Sequence, residues 1–226
     1  MKRFWRDVAV ADGEIRLDGK PVRTPGRAPL TLPNAALAEA VAEEWRRVEG
    51  TLDPRAMPLT GLANAAIDRV APDAAAFAAG LAAYAESDLL CYRAESPAGL
   101  VARQAAAWDP LLDWARAHYR VAFTLVTGVM HRPQPADTLA RMRAAVAAYP
   151  PLILAPLSPL VTITGTLVGA LALAEGAADA EQLWLAAQVD DEWQAEQWGD
   201  DALAQQATAA RRRDYEAAVS FLKLAL

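Results

Sequence analysis

The chain has 226 residues, of which 54% are hydrophobic and 22% charged, as is typical of a folded globular protein and not of a disordered chain. Its net charge of −6 argues against nucleic acid as a partner, because phosphate binding needs a basic surface. The single cysteine, Cys91, excludes an internal disulfide framework and fits a reducing compartment. The N-terminus lacks the apolar core of a secretory signal, so we expect a cytoplasmic protein.

The first thirty-three residues have the pattern of a small β meander. Apolar residues alternate along the chain and lead into two Asp-Gly pairs, which are strong hairpin signals. Val8 and Val10 precede Asp12-Gly13, and Ile15 and Leu17 precede Asp18-Gly19. Prolines then interrupt the backbone repeatedly up to Pro33. We predict a small antiparallel β domain with an irregular arm over residues 1–33.

Helical patterns dominate from residue 34 onward, so the predicted fold class is α+β, mostly α, with a larger helical domain over residues 34–226. Asn34 is a candidate cap for the first helix, and further helices are expected to begin at Thr60, Asp73 and Asp137. Between Pro97 and Tyr119, Asp109-Pro110 predicts two helices that meet at Trp108. Alternation at Val121, Phe123 and Leu125 predicts a short strand that ends at Gly128.

The uncharged stretch from Ala144 to Ala174 requires a membrane test. Four prolines interrupt it and leave too few residues after the last one to span a bilayer, which needs about 20. The favoured interpretation is a buried helix from about Ser158 to Glu175, without stable membrane insertion. A scaffold peripheral to the membrane, using the segment from Val161 to Ala174, is an alternative hypothesis.

Nine acidic residues and no Lys or Arg lie between Glu175 and Asp201. The run ends in DDEWQAEQWGDD, in which two tryptophans, Trp193 and Trp198, lie among the acids. Asp179 should cap a helix that runs to Trp198 and stops at Gly199, and Asp200 should cap the last helix. Solvated helices usually mix both charge signs, so this stretch is expected to meet positive charge.

Three interpretations of the acidic run stay open on the residues alone. Glu192, Glu196 and Asp200 are spaced at steps of four, which would put them on one helical face that could hold Mg²⁺ in a hydrolase. The acids could instead bind a protein partner. They could also form ion pairs within the fold, with candidate bases Arg16, Lys20, Arg23, Arg27 and Arg211 to Arg213.

Other enzymatic signals are weak. Gly165 and Gly169 lack the Lys-Ser/Thr of a phosphate-binding loop, and the histidines, His118 and His131, are far apart in the sequence. Cys91 has no ligand partner at metal-binding spacing. We therefore expect no catalytic residues, no metal and no cofactor.

Several blocks of the sequence together resemble a known family, the assembly chaperones of F-type ATP synthase called Atp-twelve. The blocks follow the family's order along most of the chain: LDGKPVRTPGRAPLTLP, AEEW, MPLTGLANAAIDRV, SDLLCYRAESPAGLVARQAAAWDPLLDW, TGTLVGALALAEG and DDEWQAEQWGDD. The absence of an Arg-rich and Ser-rich leader favours a bacterial relative over a mitochondrial precursor.

The resemblance implies a small β domain followed by a helical domain, and a chaperone that works without nucleotide. Such a protein would bind the unassembled α subunit of the catalytic head, as a monomer, and keep it from aggregating until β replaces it. The functionally important acid of the family is best matched by Glu192. The implied partner-binding residues are Glu192, Trp193, Gln194, Glu196, Trp198 and Asp200. Trp45 and the segment from Asn64 to Asp68 also match the family, but we assign them to packing.

Overall fold

The computed structural model describes residues 2–128, 130–199 and 202–226. It confirms an α+β fold that is mostly helical and begins with a small antiparallel sheet. The chain divides into two compact units. The first comprises Met1–Ala74, Pro150–Pro156 and Glu216–Leu226, and the second comprises Ala75–Tyr149 and Leu157–Tyr215. The domain boundary at residue 33 stays a prediction.

The sheet contains strands β1 (Val8–Ala11), β2 (Glu14–Leu17) and β3 (Lys20–Pro21), paired antiparallel in that order. Both Asp-Gly pairs form the predicted turns. Asp12 and Gly13 have φ values of 52° and 78°, and Asp18 and Gly19 have values of 48° and 77°. Two consecutive residues at positive φ match the right-handed twist of a tight hairpin, which explains the sequence signal.

The first unit is built around the sheet and helix α1 (Ala35–Arg46), followed by helix α2 (Pro58–Ala65). Asn34 caps α1 as predicted, because its side chain accepts hydrogen bonds from the backbone N–H groups of Ala36 and Leu37. Trp45 is buried, and its carbonyl accepts a hydrogen bond from Nε1 of Trp5 at 3.3 Å. The packing role assigned to Trp45 is therefore confirmed.

Helix α3 (Ala74–Ala82) precedes the short strand β4 (Tyr92–Arg93), the long helix α4 (Ala98–Tyr119), strand β5 (Val126–Thr127) and helix α5 (Ala136–Ala147). Strands β4 and β5 pair in parallel. Of the short strand predicted to begin at Val121 and end at Gly128, only Val126–Thr127 forms, so the predicted end is confirmed and the predicted start was wrong.

The prediction of two helices meeting at Trp108 was also wrong. Helix α4 continues through Pro110, although an internal proline removes a backbone hydrogen bond and disfavours the helix by about 3 kcal/mol. Burial offsets this cost, because Trp108, Leu111, Leu112 and Ala115 all lie inside the fold. Nε1 of Trp108 also donates to the carbonyl of Ala186 at 2.7 Å.

The apolar stretch forms two helices where one was predicted, namely α6 (Pro151–Thr164) and α7 (Leu167–Ala174). The chain breaks at Gly165, which has a φ of 71° that most residues avoid. Every residue of α7 is buried, so this helix leaves no apolar face for a bilayer. Within the described residues, one helical run, Pro58–Cys91, reaches a mean hydropathy of 1.2 over a membrane-spanning length, and 39% of that window is buried.

The chain ends in helices α8 (Ala180–Trp198) and α9 (Ala202–Ala225). The side chain of Asp179 accepts from the backbone N–H of Gln182, and Gly199 has a φ of 85°. Both predicted ends of α8 are therefore confirmed. The predicted cap at Asp200 lies outside the described residues.

Candidate functional site: the acidic end of helix α8

Helix α8 contacts helix α4 along one side. Gln104, which is buried on α4, donates from Nε2 to Asp190 at 2.7 Å. Nη1 of Arg103 donates to Oε1 of Glu196, also at 2.7 Å. This ion pair lowers the pKa of the Glu196 carboxyl and raises the pKa of Arg103, chiefly through the shared hydrogen bond. Glu196 therefore has a partner within the fold.

Trp193 is half-buried on the same side of α8. Its indole lies 4.9 Å below the guanidinium carbon of Arg103, within the range of a cation–π contact. The far end of the ring lies over Gly99, where the absence of a side chain makes room for it. The bulk of Trp193 thus helps to fix the end of α8 against α4.

The other side of α8 contacts helix α9. Near the start of α8, the rings of Trp184 and Tyr215 are 5.3 Å apart, and the Tyr215 hydroxyl donates to the carbonyl of Ala180 at 2.7 Å. Arg212 forms an ion pair with Glu181, and its guanidinium lies 5.0 Å from the Trp184 ring. These contacts hold the first turns of α8 against α9.

Toward the far end of α8 the two helices leave a groove of about 1010 Å³ between them. Arg211 reaches across to Asp191 at 3.4 Å. Beyond that ion pair, both walls are largely exposed. This part of the groove is lined by Glu192, Gln194, Trp198, Ala204, Ala207 and Thr208.

The structure distributes the six predicted site residues over different surroundings. Glu192 is exposed, and no ion pair involves it within the described ranges. Trp198 is 79% exposed and Gln194 is exposed. Trp193 and Glu196, in contrast, contact Arg103, and Asp200 lies outside the described residues. Partner binding by these six residues stays a prediction.

The predicted ion pairs with the C-terminal arginines form in part, through Arg211 and Arg212. Arg16 is one of the candidate N-terminal bases. It pairs with Glu14 at 2.8 Å and not with the described acids of the α8 run. Arg103, which pairs with a residue 93 positions away, was not predicted from the sequence. No local pattern marks such a contact, although Arg103 lies within one of the blocks that carry the family resemblance.

A metal site finds no support in the part of the chain that the structure describes. No group of three or more His, Cys, Asp or Glu side chains within it is arranged to hold a metal ion. Of the three carboxylates proposed for Mg²⁺, Glu196 is paired with Arg103 and Asp200 is outside the described ranges.

The net charge of the protein lies in the second unit. The sequence places 16 of its 28 acidic residues and 10 of its 22 basic residues in that unit, and this difference of six equals the net charge. The first unit is neutral by the same count. A positively charged partner would therefore be attracted to the second unit, to which the acidic end of α8 belongs.

Two acids in other blocks of the resemblance, Asp88 and Asp68, are held by hydrogen bonds within the fold. Asp88 is fully buried and accepts hydrogen bonds from the backbone N–H groups of Leu90 at 3.1 Å and Val168 at 2.9 Å. The second bond satisfies a backbone N–H in the first turn of α7, whose N-cap is Thr166. Burial raises the pKa of this carboxyl to about 6 in spite of those bonds. Asp68 accepts from Oγ1 of Thr24 at 2.6 Å and from the backbone N–H of Gly26 at 2.7 Å.

The candidate site combines exposed acidic and apolar side chains at one end of a helix, a surface of the kind that protein-binding proteins present. A family model described as ATP12 chaperone protein matches residues 2–116. The structure is also similar to Atp12 from Paracoccus denitrificans, with a TM-score of 0.93, 42% identity, and coverage of 100% of this chain and 98% of that one. The chain therefore belongs to the ATP12 chaperone family.

Two further solved structures agree. A mutant of the P. denitrificans Atp12p, with lysine in place of an aspartate, gives a TM-score of 0.94 at 42% identity, covering 100% of this chain and 98% of that one. A candidate chaperone from Agrobacterium tumefaciens gives 0.93 at 44% identity, covering 98% and 85%. The family resemblance of the sequence is thus confirmed, and with it a chaperone role in ATP synthase assembly.

Proposed function

We propose that this protein is a holdase that binds the unassembled α subunit of the F-type ATP synthase catalytic head and prevents its aggregation until the β subunit replaces it. It acts in the cytoplasm, as a monomer and without nucleotide. An unassembled subunit exposes the apolar surface that it later buries against its neighbours, so a reversible cover reduces aggregation. Such a task requires binding and release but no covalent chemistry.

The observation that carries this proposal is the end of α8, where acidic and apolar side chains are exposed together. Glu192 lacks an ion-pair partner among the described residues, and Trp198 is 79% exposed. Exposed tryptophan next to an acid without an ion pair among the described residues is costly for a purely structural surface but well suited to recognition. Contacts to α4 and α9 hold this end of the helix in place, which lowers the entropy cost of binding.

The test is retention of the purified α subunit by the immobilised protein in buffer without nucleotide. We expect α to be retained, and added β to release it. The β subunit alone serves as the control and should pass through. If α is not retained under conditions in which it is otherwise soluble, the proposal fails.

A further inference from the structure

We propose that the groove between α8 and α9 receives a single amphipathic helix of the client, one whose apolar face is flanked by Lys or Arg. This inference rests on the proposed function and names the kind of client segment that the same site binds. It concerns the groove from Gln188 to Trp198 on α8 and the facing residues of α9.

The shape of the groove suits a helix. Its volume of about 1010 Å³ is at the upper end for small-molecule pockets, yet its walls are exposed and would leave a small ligand largely in water. The α9 wall presents Ala204, Ala207 and Thr208, and Ala195 lines the α8 side. Small side chains allow a third helix to approach closely, as helix packing at about 8–10 Å requires.

The groove also carries the apolar contact that a helix-in-groove complex needs. Trp198 lines it and is 79% exposed, so covering its indole would remove a large apolar area from water. An amphipathic helix presents apolar residues at steps of three and four, which can contact Trp198 and the alanines of α9 together.

The charges that line the groove determine which charged residues should flank the apolar face of the bound helix. The two arginines that line the groove, Arg211 and Arg212, pair with Asp191 and Glu181. Glu192 lines the more open part of the groove and has no ion pair within the described residues. Since α8 has no Lys or Arg, a segment bearing Lys or Arg is favoured there and an acidic one is repelled.

The experiment titrates the full-length protein with two synthetic amphipathic peptides, each about four helical turns long, by calorimetry. One carries Leu and Lys, and the other carries Leu and Glu in the same pattern. Binding of the first and not of the second is expected. Equal binding of both peptides, or binding of neither, would overturn the proposal. Because no α subunit is present, this result is independent of the retention test of the holdase function.

Two pairs of matched variants test whether the peptide binds in the groove. Ala207 lines the groove, while the exposed Gln206 next to it does not, and Ala207→Arg and Gln206→Arg add the same charge. Ala207→Arg should weaken binding of the Leu/Lys peptide about tenfold, and Gln206→Arg less than twofold. A second pair, Trp198→Ala and the control Leu185→Ala on α8 outside the groove, should differ in the same way. Equal effects within both pairs would contradict the assignment.

Discussion

Trp193 on helix α8 lies against Gly99 on helix α4 so closely that a Cβ atom at residue 99 would be 2.7 Å from Cη2 of the indole. Arg103, about one turn along α4, covers the same ring. A bare backbone segment and a guanidinium therefore hold the indole between them. This contact connects the acidic end of α8 to a helix that the sequence pattern alone does not bring near it.

Substitution of Gly99 tests this contact. Gly80 on α3 is a matched control, because a Cβ there meets nothing within 4 Å. Gly80→Ala should stabilise the protein by about 0.5–1 kcal/mol, since alanine favours a helix. Gly99→Ala should lack that gain and be less stable than Gly80→Ala, because the indole must move. Urea unfolding followed by circular dichroism gives both values, and an equal gain in the two variants would contradict the contact.

Asp88 should make stability depend on pH. The pKa of its carboxyl rises from 3.8 in the unfolded chain to about 6 in the fold. Between about pH 4 and 6 the carboxyl is therefore protonated in the folded protein and ionised in the unfolded chain. The stability that this group contributes is lost as pH rises across that window. The loss amounts to about 3 kcal/mol.

Asp88→Asn isolates this effect from the other acids, several of which have lowered pKa values. Urea unfolding of both proteins between pH 4 and pH 7 provides the measurement. The stability of the wild type minus that of the variant should fall as pH rises. A difference that stays constant or grows with pH would contradict the raised pKa.

Asp68 should stabilise the first unit through the loop that contains Thr24 and Gly26. Asp68→Ala removes both acceptors and should lower the free energy of unfolding by about 1–3 kcal/mol, because the partner groups lose their hydrogen bonds. Client retention per folded molecule should not change. Thermal unfolding and the retention assay together check this prediction. Reduced retention at full stability would instead place Asp68 in the binding surface.

Glu192→Lys should weaken client binding about tenfold. It should shift the melting temperature by no more than about 2 °C, because surface substitutions typically change stability by less than about 0.5 kcal/mol. Glu95, also exposed in the second unit, is the charge-matched control. Glu95→Lys should leave affinity nearly unchanged. A loss of several degrees with normal binding of the folded variant would show that Glu192 is structural.

Local chemistry explains which elements the sequence could predict. The Asp12-Gly13 turn, the Asn34 cap and both ends of α8 depend on neighbouring residues alone, and each was confirmed. The same local rules failed at Pro110 and at Gly165. Burial of Trp108 and its neighbours keeps α4 continuous, while apolar residues on both sides of Gly165 hide the break in the sequence pattern.

The candidate site could be predicted only in part from the sequence, for a related reason. The acids and tryptophans of α8 were visible because their composition is unusual. Which of them stay free depends on partners remote in the chain, such as Arg103 for Glu196 and Arg211 for Asp191. Periodicity assigns residues to a face of a helix, but it does not say which helix that face contacts.

The most direct test of the holdase account is light scattering by the denatured α subunit after dilution into buffer without nucleotide. An equimolar amount of this protein should suppress the scattering, and Glu95→Lys should do so equally well. Glu192→Lys should require a clear molar excess. Scattering that is unchanged by the wild-type protein at any ratio would contradict the central claim.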